Sequence, residues 1–163
     1  MIVVCDTSPI SGLYRIRRLH LLHDLFGKVI IPRKVLQELS ELTKWGYDLV
    51  EIENATWIEV RSAAPSDDLE KLKLVLDEGE AEAIALAKEL RADILLIDEA
   101  KGRKVAQAEG LRIVGVLAVL IEAKQVGLIS SVKEPLDELI AKTKFRVSKS
   151  LYRDVLSRVA EID

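Results

Sequence analysis

Acidic residues stand next to apolar runs at four places in the chain. They are Asp6, Glu38, Glu82 and the pair Asp98 and Glu99. Asp6 ends the run Ile2–Cys5, the Asp98–Glu99 pair ends the run Ile94–Ile97, and the other two lie in predicted helices among apolar neighbours. A buried carboxylate is costly to leave without a partner, and converging carboxylates repel one another unless a cation lies between them. Because oxygen ligands favour Mg²⁺ or Mn²⁺, the pattern indicates a metal-dependent phosphodiester-cleaving site.

Some of these positions also have a purely structural explanation. The segment Asp6–Ser8 holds three good N-cap residues, and Asp98 could cap a helix that starts near Ala100. Glu80 and Glu82 are two residues apart and cannot share one helix face. Because Glu80 is explained by the positive N-terminus of its helix, Glu82 is our preferred metal ligand of the two.

Short apolar runs alternate with helix-like stretches along the chain. The runs predicted as strands are Ile2–Cys5, Val29–Ile31, Trp57–Val60, Ile94–Ile97 and Arg112–Val114. Most are continuous apolar runs, which suits strands buried on both faces of a parallel sheet. Ligands bind such sheets beyond the carboxyl ends of the strands. If the first and fourth strands are neighbours, Asp6 and Asp98 face one crevice, which Glu38 and Glu82 could close.

Helix signals fall between the predicted strands. The predicted helices begin at Pro32, at Ser66 or Asp67, at Glu80, at Ala100, at Val116 and after Ser131. Gly79 is expected to separate the second helix from the third. We therefore predict one α/β domain over residues 1–163, with an α/β unit in 1–127 and a helical extension in 128–163. Apolar residues at helical spacing in the extension favour packing on the domain over a dimer or partner surface.

The composition indicates a globular protein that acts in the cytoplasm. The chain has 163 residues, a single cysteine and a formal net charge of −3. No apolar run approaches the ~20 residues of a membrane helix, and the N-terminus lacks a signal-peptide pattern. Since the net charge gives no global attraction to nucleic acid, RNA binding would need a local basic patch. Candidates are Arg15, Arg17, Arg18, Lys101, Arg103 and Lys104.

Five segments carry a family pattern through their order and spacing. They are Val3–Ile10, Ile31–Leu39, Asp77–Ala87, Leu95–Arg103 and Gly115–Lys124. In this order they resemble the PIN domain superfamily of metal-dependent ribonucleases, and more narrowly its DUF3368 branch of toxin-like proteins. Each segment is short, but together they extend over nearly the whole chain.

The resemblance implies a three-layer α/β/α domain with a parallel sheet in the order 3-2-1-4-5. It also implies a Mg²⁺ or Mn²⁺ site. The four acidic positions of the family fall on Asp6, Glu38, Glu82, and Asp98 or Glu99. Thr7 or Ser8 would help to hold Asp6 or a metal-bound water, and Arg103 is a candidate for contacting substrate phosphate.

For activity, the resemblance implies an endoribonuclease that cleaves single-stranded or structured RNA. It further implies the toxin of a toxin–antitoxin pair, a homodimer and a small antitoxin partner. The alternative is a catalytically weak PIN-like module that binds RNA or protein. Two departures motivate that alternative: Ile97 stands where the family usually has threonine, and Glu99 where it usually has aspartate.

Overall fold

The computed structural model describes residues 1–162, which fold around a five-stranded parallel sheet. The strands are β1 (Val3–Cys5), β2 (Val29–Pro32), β3 (Ile58–Arg61), β4 (Ile94–Leu96) and β5 (Ile113–Val114). Their order across the sheet is β3-β2-β1-β4-β5, which confirms the predicted order. The central strand β1 pairs with β2 and β4, so that Val4 lies beside both Ile30 and Leu95.

Helices connect the parallel strands and cover both faces of the sheet. Their bounds are α1 (Thr7–Arg15), α2 (His20–Phe26), α3 (Arg33–Ser40), α4 (Val50–Glu53), α5 (Asp67–Val75), α6 (Glu78–Glu89), α7 (Ala100–Ala108), α8 (Val116–Gln125), α9 (Lys133–Lys142) and α10 (Lys149–Arg158). A 3₁₀ helix spans Glu41–Trp45.

Successive strand residues point to opposite faces of the sheet and join different apolar cores. Val4 and Leu95 belong to a core shared with α5, α6 and α7. Val3 and Leu96 belong to a second core shared with α1, α2, α8 and α9. This arrangement explains why the strands are continuous apolar runs, and it gives the three-layer α/β/α architecture that the family resemblance implied.

Two helix boundaries differ from the prediction near the acidic residues. Pro32 does not open a helix: it ends β2 with extended backbone (ψ 152°), and α3 begins at Arg33. Gly79 does not separate two helices either. It lies inside α6, and the break falls at Leu76 and Asp77. The predicted helix starts also did not include α1, α2 or α4, although Asp6–Ser8 offered N-cap residues for α1, where Asp6 is the N-cap without a side-chain cap hydrogen bond.

The C-terminal helices α9 and α10 pack against the rest of the chain. Leu136, Leu139 and Val155 are buried in the same core as β1.

Within residues 1–162, no helix combines the length and apolar character needed to cross a membrane.

Candidate active site

Asp6 and Asp98 lie at the carboxyl edge of the sheet, just beyond the ends of the neighbouring strands β1 and β4. Cys5 at the end of β1 pairs with Leu96 at the end of β4, and the Asp6 N–H donates to the Leu96 carbonyl at 2.9 Å. Asp6 is only 2% exposed although it is an acid. The parallel pairing therefore brings the two aspartates to one edge, as the order of the strands requires.

Glu80 is the second buried carboxylate at this edge. It lies on the buried stripe of α6 with Ile84 and Ala87, and it is 7% exposed. Its backbone N–H donates to Asp77 Oδ1 at 2.8 Å, so Asp77 caps the helix. Two oxygens, Asp6 Oδ1 and Glu80 Oε2, are buried without a hydrogen-bond partner among residues 1–162. Buried and unpaired oxygens of this kind are costly unless a cation or water satisfies them.

Glu38, on α3, is held at the N-terminus of α6. The Thr7 hydroxyl donates to Glu38 Oε2, and the N–H of Gly79 also donates to this carboxylate. A Cβ at position 79 would lie 2.6 Å from Glu38 Oε1, so any other residue there would require the Glu38 carboxylate to move. Thr7 therefore acts next to the site by positioning Glu38.

Asp98 is held by the start of a different helix from the one predicted. Its Oδ1 accepts the Val116 N–H of α8 at 2.9 Å, and a Cβ at Gly115 would lie 2.9 Å from the same oxygen. Arg103 Nη1 donates to the Ile97 carbonyl at 2.9 Å. Arg103, predicted to contact substrate, is thus committed to the turn that carries Asp98.

Burial and mutual repulsion disfavour ionisation of these carboxyls. Burial raises the pKa of Asp6 to about 7, and the charges of Asp77, Glu38 and Asp98 add to this against a backbone hydrogen bond from Thr7. Burial likewise raises the pKa of Asp98 to about 6, opposed by the Val116 N–H and Arg103.

The pKa values of Glu80 and Glu38 are also raised. The pKa of Glu80 lies well above its usual range because of burial first, and then because of its hydrogen bond with Asp77 and the charges of Asp77, Asp6 and Glu99. Burial also raises the pKa of Glu38. We call the group formed by Asp6, Glu38, Asp77, Glu80, Asp98 and Glu99 the acidic cluster. A cation placed among these groups would reverse the shifts.

Glu82 lies outside the acidic cluster, contrary to our preference for it over Glu80. Its two carboxylate oxygens accept the backbone N–H groups of Lys34 and Ala63, each at 3.3 Å. Because Glu80 and Glu82 are two residues apart on α6, a helix that turns Glu80 to the sheet edge must turn Glu82 away. The structure therefore places Glu80, not Glu82, beside Asp6.

The donor set of the acidic cluster suits a hard divalent cation. Every member offers carboxylate oxygens, and two of the buried ones lack a partner. Within residues 1–162, however, no three His, Cys, Asp or Glu side chains are arranged to hold a metal ion as they stand. Of the four predicted ligands, Asp6, Glu38 and Asp98 lie in the acidic cluster and Glu82 lies outside it, and their role as ligands stays a prediction. Mg²⁺ commonly binds through one or two carboxylates with waters and substrate phosphates, which this arrangement fits.

A cleft of about 490 Å³ opens beside the acidic cluster. Asp98, Glu99 and Ser8 belong to its lining. Lys144 and Arg146, from the turn between α9 and α10, line the same cleft. The cleft therefore contains both acidic and basic side chains, and its Ser8 and Glu99 are exposed rather than buried.

Comparison with protein families places this site in context. Residues 2–161 match the PIN domain family DUF3368. The chain belongs to the PIN domain family. Among solved structures it is similar to a PilT N-terminus domain protein from the hyperthermophilic archaeon Sulfolobus solfataricus P2. The two share 17% sequence identity over 90% of this chain and 100% of that chain, with a TM-score of 0.44. A comparison with curated proteins found no match.

The family assignment confirms the resemblance drawn from the five sequence segments. PIN domains are commonly nucleases that act on RNA and typically use divalent metal ions. The sequence missed Asp77, which joins the acidic cluster as the cap of α6. The spacing of Asp77 and Glu80 is the capping-box spacing used to find other helix starts, so that signal was present.

Proposed function

We propose that this PIN domain is a Mg²⁺- or Mn²⁺-dependent endoribonuclease that cleaves single-stranded or structured RNA at the acidic cluster. The observation that carries the proposal is the pair of buried, unpartnered oxygens, Asp6 Oδ1 and Glu80 Oε2, at the carboxyl edge of a parallel sheet. This edge is where open α/β sheets bind their ligands. A structural role alone does not account for two such oxygens in a neighbourhood of like charge.

Asp6 and Glu80 are the proposed central ligands, with Glu38 and Asp98 beside them. A divalent ion held there would activate a water and neutralise charge on the attacked phosphate. The chain itself fixes the flanking carboxylates: the Thr7 hydroxyl holds Glu38, and the Val116 N–H holds Asp98. Such supporting hydrogen bonds reduce the freedom that each ligand would lose when the ion binds.

Exposed Glu99 lies at the entrance of the site and is assigned a supporting role. It precedes α7 without capping it, and its charge contributes to the raised pKa of Glu80 and of Asp98. Ser8, exposed in the same cleft, is placed to contact substrate or a water. These roles are part of the proposal.

The toxin role, the homodimer, the small antitoxin and the cytoplasmic location remain predictions. They rest on the family resemblance and on no contact in the structure. An antitoxin that acts on this site would have to enter or cover the cleft beside Asp98 and Glu99.

A second candidate is a PIN module that binds RNA without cutting it. It is favoured by the lack of a preassembled group of three ligands within residues 1–162. It also fits the commitment of Arg103 to the Ile97 carbonyl rather than to the cleft. The two candidates differ in metal-dependent cleavage, not in fold.

The test measures cleavage of a labelled single-stranded RNA in Mn²⁺. Cleavage should be lost when EDTA removes the metal and when Asp6→Asn removes a ligand. We expect Asp6→Asn to lower the rate by about 100-fold or more, because it removes a central ligand. Asp154→Asn is the matched control, since Asp154 is exposed on α10 away from the cleft. Cleavage that survives both EDTA and Asp6→Asn would overturn the proposal. RNA binding without cleavage by the wild type would favour the binding module.

A further inference from the structure

The turn between α9 and α10 lines the same cleft as Asp98 and Glu99 of the acidic cluster. We call Thr143–Arg146 the cationic turn. Its four residues line the cleft together with Arg15 of α1. The cleft volume of about 490 Å³ lies within the range of roughly 300–1,000 Å³ typical of ligand sites. The turn therefore shares a cleft of ligand-binding size with Asp98 and Glu99 of the acidic cluster.

Hydrogen bonds within the cationic turn fix its shape. The Thr143 hydroxyl donates to the Leu139 carbonyl at 2.6 Å and accepts the Phe145 N–H at 3.0 Å. Arg146 Nη1 donates to the Phe145 carbonyl at 2.9 Å. Phe145 is half-buried: it packs against the core and also lines the cleft. The aromatic ring of Phe145 is thus held at the cleft surface by a turn that its own hydrogen bonds fix.

The positive charges of the cationic turn and of Arg15 are not matched by carboxylates. Among residues 1–162, no Asp or Glu oxygen lies within 4.0 Å of a charged nitrogen of Arg15, Lys144 or Arg146. Arg15 is held in place by the Lys142 carbonyl and by the Tyr47 ring, whose centroid is 5.4 Å from the Arg15 Cζ. Its Nε is buried without a partner in the same part of the chain. The charge of the three side chains is therefore not neutralised by a carboxylate, although Arg15 and Arg146 also donate to backbone carbonyls.

Asp98 and Glu99 repel phosphate, and the chain has a formal net charge of −3. Attraction for a polyanion in this cleft must therefore come from its basic lining residues, Arg15, Lys144 and Arg146. Cations that follow a backbone, combined with an aromatic ring, are the usual means of binding single-stranded nucleic acid, because an unpaired base can stack on the ring. A duplex offers no free base to such a ring.

We propose that the cationic turn, together with Arg15, selects single-stranded RNA for the acidic cluster. Phe145 stacks on one unpaired base, and Arg15, Lys144 and Arg146 hold phosphates that flank the one over Asp98. This inference rests on the proposed nuclease function, because it names the strand that enters the same cleft. It assigns substrate selection to α1 and the α9–α10 turn rather than to Lys101, Arg103 and Lys104 of α7.

The first test measures binding of a short labelled RNA in Ca²⁺, as a single strand and as a duplex. Phe145→Leu keeps an apolar side chain but removes the ring, and we expect it to weaken single-strand binding about 5- to 100-fold. Phe145→Tyr keeps the ring, and we expect it to retain binding. Duplex binding should be weaker than single-strand binding in the wild type and insensitive to Phe145→Leu.

The second test removes positive charges from the cationic turn and measures RNA affinity at several salt concentrations. The double change Lys144→Ala/Arg146→Ala should weaken binding and lower the slope of log affinity against log salt by about 0.7 per lost phosphate contact. Lys149→Ala/Arg153→Ala is the matched control, with the same loss of charge from exposed positions on α10 outside the cleft. It should leave the slope nearly unchanged. Because all four side chains are exposed, these variants should fold even if Phe145→Leu does not.

Equal binding by the two double variants, or wild-type binding that does not prefer the single strand, would overturn the inference. A wild type that does not bind RNA in Ca²⁺ would overturn it as well. Wild-type cleavage in Mn²⁺ is measured separately and reports on the proposed nuclease. Cleavage with no effect of the cationic turn would refute only this inference, and selective binding without cleavage would refute only the nuclease.

Discussion

The carboxylate of Glu80 lies against the backbone of Gly102 on the neighbouring helix α7. A Cβ at position 102 would overlap Glu80 Oε2 and would lie 2.7 Å from Ile97 Cδ1. Gly79 and Gly115 leave the same kind of room for Glu38 and Asp98. Three carboxylates of the acidic cluster thus lie where a Cβ in place of a glycine hydrogen would force a side chain to move. Their close placement is built into the fold.

Gly102→Ala should lower the free energy of unfolding by about 1–3 kcal/mol, because the added methyl overpacks the site. In an unobstructed helix the same change would be neutral or stabilising. Glu80→Ala removes the overlapping carboxylate, so the double variant should lose less stability than the sum of the single variants. Urea unfolding of the four proteins measures this coupling. Additive effects would show that Glu80 and Gly102 do not compete for the same space.

The raised pKa of Asp6 predicts that metal-free protein loses stability as pH rises. Its pKa is about 7 in the folded state against an ordinary 3.8, so its contribution is fully present below about 4 and is lost as pH rises through about 7. Asp6→Asn should therefore gain stability relative to wild type between acidic and neutral pH. Urea unfolding in EDTA at about pH 4.5 and about pH 8 checks this. A difference in the free energy of unfolding between the two proteins that does not change with pH would contradict this prediction. Adding Mn²⁺ should restore the stability of the wild type at the higher pH.

Glu161 should have the opposite pH dependence. Its carboxylate accepts the N–H groups of Val132 and Lys133 at 2.7 and 2.9 Å, and it also pairs with Lys124 at 3.0 Å. Although burial opposes it, hydrogen bonding to these N–H groups, to Lys124 and to Ser131 holds its pKa at about 2. The stabilising effect is present above its ordinary value of 4.5 and is lost as pH falls through about 2.

Glu161→Gln should therefore cost about 2–3 kcal/mol at neutral pH, and less as pH falls. Glu122→Gln is the control, because Glu122 is exposed on α8. Equal stability of the two variants would contradict the prediction that the Glu161 contacts stabilise the packing of the chain after α10 against the start of α9.

The strands could be predicted because burial on both faces leaves a continuous apolar run in the sequence. The helix α1 could not be predicted in the same way. It contains Pro9 and Gly12, which are weak helix formers, and its stability comes from packing. Gly12 lies under Leu139 of α9, where a Cβ would be 3.1 Å from Leu139 Cδ2. That contact joins distant parts of the chain and has no local signal.

Some residues of the candidate site could likewise be predicted from local sequence, and others could not. Asp6 and Asp98 could be found because they follow apolar strands, and the parallel order then places them together. The choice between Glu80 and Glu82 depends on how α6 rotates against the sheet. The stripe formed by Glu80, Ile84 and Ala87 carries that information, but the acidic spacing alone does not. Supporting contacts such as Thr7 with Glu38 depend on the assembled fold.

The most direct test of the account compares Glu80→Gln with Glu82→Gln, two identical changes two residues apart on α6. Mn²⁺ binding by titration calorimetry and RNA cleavage are measured on both variants and on the wild type. We expect Glu80→Gln to weaken Mn²⁺ binding about 10- to 100-fold and to abolish cleavage, while Glu82→Gln stays close to wild type. Loss of Mn²⁺ binding and cleavage in Glu82→Gln, with both retained in Glu80→Gln, would contradict the placement of the metal site beside Asp6 and Glu80.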